Sequence, residues 1–442
     1  MKTTCLFAPE RTYLLDGAMG SMLQERGLPP GRPPETMTLE KPETVEAIHR
    51  AYLDAGADLI QTNTFGGNRA ALSRHGLADK ISEVNQRGAE IALRVAGPHG
   101  LVAGSLGPTG ELLAPLGGLD PDEAEAIYYE QCQILKQTGL QLVNIETMND
   151  LAELKAAVLA ARSCRLQVMA SATLMENGYT LTGASPEVII ATLEGLGVIV
   201  AGLNCGLGPA ELKPFLVRMA NATSLPLIVQ PNAGLPQMRD GKTVYPLSAE
   251  EFSRQMRVLI EEARPQIVGG CCGTNPEHIK HLRKVIDKLP PSPQPKKKQQ
   301  PERVLIAGRG QAVWWAGKWE EHHSLLVRPY DRKNINLDGE TIDLFSLIET
   351  LKKEKNTILR LDFNAWESKA DEVKNFIQDL QLYYTGPCSV RGGQPEILTG
   401  FFRYYLGRPL YEGERSSLPD PIRKCIDQYL PGTVFCSHDL DS

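Results

Sequence analysis

The chain has 442 residues, 42% hydrophobic and 23% charged, with a formal net charge of −6. That length exceeds one ordinary domain and calls for two domains or one large barrel with an extension. The mild acidity excludes a general nucleic-acid or membrane surface, and no stretch has the apolar length of a signal peptide or spanning helix, so the cytoplasm is the expected location.

Over residues 1–289, short apolar runs recur at Thr12–Asp16, Ala57–Thr62, Leu101–Ser105, Gln141–Ile145, Gln167–Ala172, Ile199–Asn204, Pro226–Gln230 and Gln266–Gly270. They are apolar on both faces, as buried parallel strands should be. Longer stretches of helical spacing separate them. Glu123–Thr138 sets Ala124, Tyr128, Cys132 and Leu135 on one face. Asp120-Pro121, Ser185-Pro186 and Asn275-Pro276 each supply a capping residue followed by proline, with an acid in the first turn. Eight β/α repeats in about 290 residues predict a TIM (β/α)8 barrel rather than an open doubly wound sheet.

Residues 290–302 are rich in proline and lysine and read as an extended, solvated linker. Residues 303–442 form a smaller α/β domain. Its expected strands are Val304–Ala307, Thr357–Leu361, Cys388–Arg391 and Thr433–Cys436. Its expected helices lie near Ile342–Lys352, Ala370–Leu382, Pro395–Tyr405 and Pro421–Tyr429. Gly308-Arg309-Gly310 reads as a simple turn, and Trp314, Trp315 and Trp319 as core.

A barrel's chemistry lies at the C-terminal ends of its strands. The sixth expected strand ends in Asn204-Cys205-Gly206, and the eighth runs into Gly270-Cys271-Cys272-Gly273-Thr274. A lone cysteine at a strand end is ordinarily a small buried hydrophobe. Three of them at two nearby strand ends make a thiolate site for a borderline cation, zinc above all, with one tetrahedral position open. The nine cysteines are odd in number and scattered, which fits reduced thiols and not a disulfide framework. Cys5, Cys132 and Cys164 read as packing residues, and His278 and His281 as helix residues outside the site. Asp16 and Glu146 end the first and fourth strands and suit the ammonium of an amino-acid substrate. Gly17, Ala18, Asn63, Thr64, Thr173 and Asn232 complete the candidate substrate-binding set at neighbouring strand ends.

At these residues the chain resembles the homocysteine S-methyltransferase family over roughly residues 10 to 288. The resemblance rests on Asp16-Gly17-Ala18-Met19-Gly20, Asn63-Thr64-Phe65, Gly202-Leu203-Asn204-Cys205 and Gly269-Gly270-Cys271-Cys272-Gly273-Thr274. Gly104-Ser105-Leu106-Gly107-Pro108 and Pro231-Asn232-Ala233-Gly234 point to the branch of the homocysteine-binding module of cobalamin-dependent methionine synthase. The resemblance implies Zn2+ on Cys205, Cys271 and Cys272, homocysteine sulfur in the open position, and Asp16 and Glu146 on its amino group. It implies methyl transfer to that sulfur, giving methionine. No Asp-x-His-x-x-Gly sequence of the cobalamin-binding type follows, so the expected donor is a methylcorrinoid (methylcobalamin) on a separate corrinoid protein. The alternatives are S-methylmethionine or S-adenosylmethionine as donor, or a non-catalytic scaffold that binds metal or thiols. The segment Pro387 to Glu396 resembles one strand–helix unit of a pterin-binding barrel, so the C-terminal domain reads as a possible truncated half barrel.

Overall fold

The computed structural model describes residues 6–8, 10–239, 242–290, 303–319, 322–353, 357–367, 369 and 371–436. The Pro/Lys-rich stretch 291–302 and Cys5 lie outside the described residues. Eight strands build the first unit: β1 (Tyr13–Leu14), β2 (Leu59–Gln61), β3 (Leu101–Leu106), β4 (Leu142–Met148), β5 (Gln167–Ala172), β6 (Val200–Asn204) and β7 (Leu227–Gln230) come first. A small hairpin of β8 (Gln237–Arg239) and β9 (Lys242–Val244) intervenes before β10 (Ile267–Val268). Each strand pairs in parallel with its neighbour in chain order, β10 pairs with β1, and a Leu15–Leu59 bridge joins the two ends. The ring is therefore a TIM barrel, as the eight apolar runs predict.

Helices connect the strands, and their starts follow the expected chemistry. Asp120, Ser185 and Asn275 each accept a hydrogen bond from a first-turn N–H of the helices Pro121–Gln137, Pro186–Gly195 and Pro276–Ile286. β6 and β7 approach closely at Gly202, where an added Cβ would stand 1.8 Å from the Ile228 carbonyl oxygen. Only glycine fits there.

The inward faces differ from the all-apolar expectation. Tyr13, Leu15, Leu59, Ala103, Leu142 and Met169 belong to one apolar cluster that fills the lower barrel. Two residues further along the strands the inward positions are polar: Gln61, Ser105, Asn144, Ser171 and Gln230. Asn144 Nδ2 donates to Gln61 Oε1 at 2.5 Å and to Gln230 Oε1 at 3.1 Å. Successive inward side chains thus pass from apolar to polar toward the mouth, the period-2 consequence of strand geometry.

The second unit has a hairpin, β11 (Val304–Ala307) with β12 (Ala312–Trp315), and a seven-stranded sheet. The sheet holds β13 (Ser324–Pro329), β14 (Ile335–Leu337), β15 (Glu340–Ile342), β16 (Ile358–Asp362), β17 (Cys388–Arg391), β18 (Leu410–Glu412) and β19 (Val434–Cys436). Strands β13, β16, β17, β18 and β19 are parallel in chain order, and β14 and β15 add an antiparallel edge. This is a smaller α/β domain, richer in strands than the four expected. The β14–β15 turn is Asp338-Gly339, both left-handed, a hairpin signal that sequence reading passed over. Gly308 N donates to Gln311 O, which makes Gly308-Arg309-Gly310 the turn of the first hairpin. Trp315 is core, with Trp319 against it at 4.7 Å between ring centroids. Compactness groups Leu113–Gly118 and Gly183–Gly197 with this second unit.

No helix among the described residues is long and apolar enough to cross a membrane.

Candidate functional site

Strand β6 delivers Cys205, and the turn after β10 delivers Cys271 and Cys272. Their three sulfurs lie within 4.8 Å of one another, with Cys205 Sγ and Cys272 Sγ 3.9 Å apart. A tetrahedral zinc with Zn–S bonds of about 2.3 Å needs sulfurs about 3.8 Å apart, so this trio could hold one. Both halves of the trio are hydrogen-bonded to the chain between them. Cys205 N donates to Gln230 O at 3.0 Å, Cys271 N to Pro231 O at 2.7 Å, and Ala233 N to Cys272 O at 2.9 Å. Cys205 itself is left-handed, φ 56°, a conformation that costs a non-glycine residue roughly 1–3 kcal/mol.

The thiols act as one electrostatic unit. Hydrogen bonds from Cys205 and Cys271, with a further one from Tyr245, hold Cys272 down to about 3. At Cys205 the contact with Cys271 lowers the value, but its bond to Cys272 and burial push it up to about 12. Cys271 is also raised, by its bonds to Cys205 and Cys272 and by burial.

The carboxylates face the same cavity, which has a volume of about 350 Å³ and is lined by Asp16, Glu146, Gln61, Gln230 and the three cysteines. That is the lower end of the size of small-molecule sites. Asp16 follows β1. Its Oδ2 accepts from Gln61 N at 2.8 Å, while Oδ1 is buried with no hydrogen-bond partner. Burial raises its carboxyl well above the usual range, and the nearby Glu146 adds to this. Glu146 sits where β4 shifts register against β5, between Ile145 and Met148. Such bulges at a barrel rim re-aim side chains. The next residue, Thr147, is forced to φ 63°. Glu146 Oε1 accepts from Ser105 Oγ at 2.6 Å, and Oε2 from Asn204 Nδ2 at 3.3 Å. Burial pushes Glu146 up to about 7, against the Ser105 hydrogen bond. Two buried carboxyl groups of raised pKa and one orphaned oxygen could together receive a cationic group.

Gly17, Ala18 and Asn63 also line the cavity. Asn63 Nδ2 donates to Pro34 O and Thr38 Oγ1, both at 2.9 Å. Three other expected residues stand behind the wall. Thr64 Oγ1 donates to Ser105 O at 2.9 Å, and Thr173 Oγ1 to Asn204 O at 2.9 Å. Asn232 is buried, with Oδ1 unpartnered. His278 packs edge-on against Phe252 and His281 pairs with Glu277, so neither joins the thiols. Cys132 is buried and Cys164 half-buried, outside the trio.

Sequence reasoning missed Gln61 and Gln230 on the wall, and Asn204, Thr274 and Tyr245 behind it. Thr274 Oγ1 donates to Cys271 O at 2.7 Å and accepts from Ala18 N at 3.1 Å, tying the first loop to the last. The glutamines carried a signal, since each is a polar residue ending an apolar strand. Tyr245 carried none.

Residues 13–286 match the sequence profile of the homocysteine S-methyltransferase family. A methionine synthase from Mycobacterium leprae (strain TN) is 37% identical over 297 residues, 63% of this chain and 24% of that protein. One from Mycobacterium tuberculosis (strain ATCC 25618 / H37Rv) is 36% identical, covering 63% and 25%. The chain thus spans about a quarter of the length of these relatives. The metallated form of the homocysteine methyltransferase MmuM from Escherichia coli superposes with a TM-score of 0.53 at 24% identity, over 62% of this chain and 96% of that one, a likeness of the barrel fold. With its family profile matched across the whole barrel, the chain belongs to the homocysteine S-methyltransferase family and is an enzyme of the methyltransferase class.

Proposed function

We propose that residues 1–289 transfer a methyl group to the thiolate of L-homocysteine, giving methionine, with Zn2+ on Cys205, Cys271 and Cys272. The observation that carries this reading is the three-sulfur cluster opening into the same small cavity as the orphaned Asp16 Oδ1 and Glu146. Zinc held there would supply the Lewis acidity that keeps a fourth, substrate thiol deprotonated near neutral pH.

The chain's own residues do the rest. Asp16 and Glu146 receive the substrate ammonium, which satisfies Asp16 Oδ1 and offsets two buried negative charges. Ser105 and Asn204 fix the Glu146 carboxylate. With its ammonium held at one side and its sulfur at the other, the substrate presents a single orientation to the mouth. The thiolate then attacks the donor's methyl carbon in line. The new S–C bond forms as the donor–carbon bond breaks, and that electron pair stays with the donor.

We infer a methylated corrinoid, carried by a separate protein, as the donor. The likeness to part of two methionine synthases supports it. The test is methionine formation by the zinc-loaded chain, comparing methylcobalamin with S-methylmethionine and S-adenosylmethionine. Turnover with methylcobalamin alone supports the corrinoid donor. Equal turnover with a sulfonium and no corrinoid overturns it while sparing the acceptor chemistry. Bound metal with no transfer from any donor overturns the catalytic reading.

A further inference from the structure

Strands β1 and β10 pair over two residues each, Tyr13–Leu14 with Ile267–Val268. Their ladder continues through Leu15 N to Val268 O at 2.8 Å and Gly270 N to Asp16 O at 3.1 Å. Past Asp16 and Gly270, no backbone-to-backbone bond joins the first loop, 17–21, to the thiol turn, 271–274, among the described residues. Side chains take over there. The Thr274 hydroxyl accepts from Ala18 N at 3.1 Å and donates to Cys271 O at 2.7 Å, so it is satisfied from both chains. Thr274 is only 1% exposed. Two glycines make room for it: a Cβ on Gly17 would stand 2.7 Å from Thr274 Oγ1, and one on Gly270 2.5 Å. Tyr52, fully buried on the helix Pro42–Asp54, donates to Ala18 O at 2.9 Å and stands 3.4 Å from Thr274 O. Gly273 N adds a bond to Ser21 Oγ at 3.2 Å.

We propose that Thr274, with Tyr52 behind it, is a positioning residue that sets the distance between the ammonium receptor and the thiols, and thereby the chain length of the amino acid thiol the site accepts. Asp16 lies two residues before one end of this tie, at Ala18, and Cys271 carries the other end. A substrate held by its ammonium at Asp16 and by its sulfur at the thiol centre must span the distance so fixed. Cysteine is one methylene shorter than homocysteine. A rigid span holds both ends of one and leaves the other with an end unheld. A looser tie lets the thiol turn approach the first loop and narrows the difference between them. This inference rests on the function proposed above.

The test uses the full chain loaded with Co2+, whose visible spectrum reports its coordination. Homocysteine and cysteine are titrated in turn. The wild type should hold homocysteine roughly 10–200-fold more tightly, the range one methylene commands in a fitted pocket. Thr274→Val keeps the shape but removes both hydrogen bonds, and should cut that ratio roughly 10-fold by weakening homocysteine. Thr274→Ser, which keeps the hydroxyl, should restore it, and Tyr52→Phe should lower it in the same direction. If Thr274→Val does not fold, Tyr52→Phe decides on the same ratio. An unchanged ratio in a folded Thr274→Val, even at a lowered midpoint temperature, overturns the inference and leaves the hydroxyl as a tie within the fold. A wild type that binds both thiols equally overturns it alone. A wild type that takes up no cobalt, or cobalt but no thiol, overturns it together with the proposed function.

Discussion

Asn204 donates from Nδ2 to Glu146 Oε2 across 3.3 Å, and the residue after Asn204 is Cys205. The same amide accepts from Thr147 N at 2.8 Å and Ser171 Oγ at 2.9 Å through Oδ1, and Nδ2 also donates to Thr147 Oγ1 at 2.9 Å. One side chain therefore ties the Glu146 carboxylate, Thr147 and strand β5 to the end of β6, one residue before Cys205. Asn204→Ala should raise KM for homocysteine about 10-fold or more and lower stability by about 1–3 kcal/mol. Steady-state kinetics with a urea titration checks both. Unchanged KM at lowered stability would reduce Asn204 to a structural role.

Cys272→Ala should lose zinc and activity together while the far-ultraviolet circular dichroism stays that of the wild type. The barrel's apolar layer, from Tyr13 to Ile267, is separate from the thiols. Metal analysis beside a methyl-transfer assay decides it, and an active variant without zinc would remove Cys272 from the site.

Glu146 titrates near 7. As an acid with a raised pKa, it is neutral below that value and charged above it. Ammonium binding should therefore strengthen between about pH 6 and 8. Methionine isolates this effect, since it shares the ammonium but has no thiol. Calorimetric titration of methionine should show rising affinity over that window in the wild type and a shallower rise in Glu146→Gln, where Asp16 alone still titrates. The same shift means that the unliganded fold becomes less stable as pH rises from the unfolded value of 4.5 through 7, because the folded state is the one that holds the proton.

Gly202→Ala drives a Cβ to 1.8 Å from the Ile228 oxygen, a backbone atom that cannot swing away. The expected cost is about 3 kcal/mol, seen as a midpoint temperature lower by roughly 10 °C. A variant as stable as the wild type would show that β6 and β7 can part freely.

The rhythm of eight apolar runs was legible because burial on the helix-facing side needs β-branched and aliphatic residues whatever the inward side carries. The inward gradient was hidden in the same runs: Leu142, Asn144 and Glu146 alternate with Val143 and Ile145, and seven residues hold two patterns at once. The cysteines were legible because their glycine-rich turns are local in sequence. Tyr245 was not, since it packs against Gly273 from another loop, and nothing around Val244-Tyr245-Pro246 announces the thiol turn. In the second domain the parallel strands β16 and β17 read clearly. Strands β14, β15 and β18, of three residues each, are too short to show a period.

Strand β7 carries no thiol, yet every main-chain bond that spaces the sulfur cluster ends on it or on the loop leaving it, at Gln230, Pro231 and Ala233. It acts as a gauge block between two jaws. A disturbance confined to β6 or to β10 alters one jaw, whereas a shift of β7 moves both together and preserves their separation. The spacing of the three sulfurs is thereby buffered against breathing of the barrel wall. The changes most damaging to that spacing are those that move β6 or β10 independently of β7, even where they touch no sulfur.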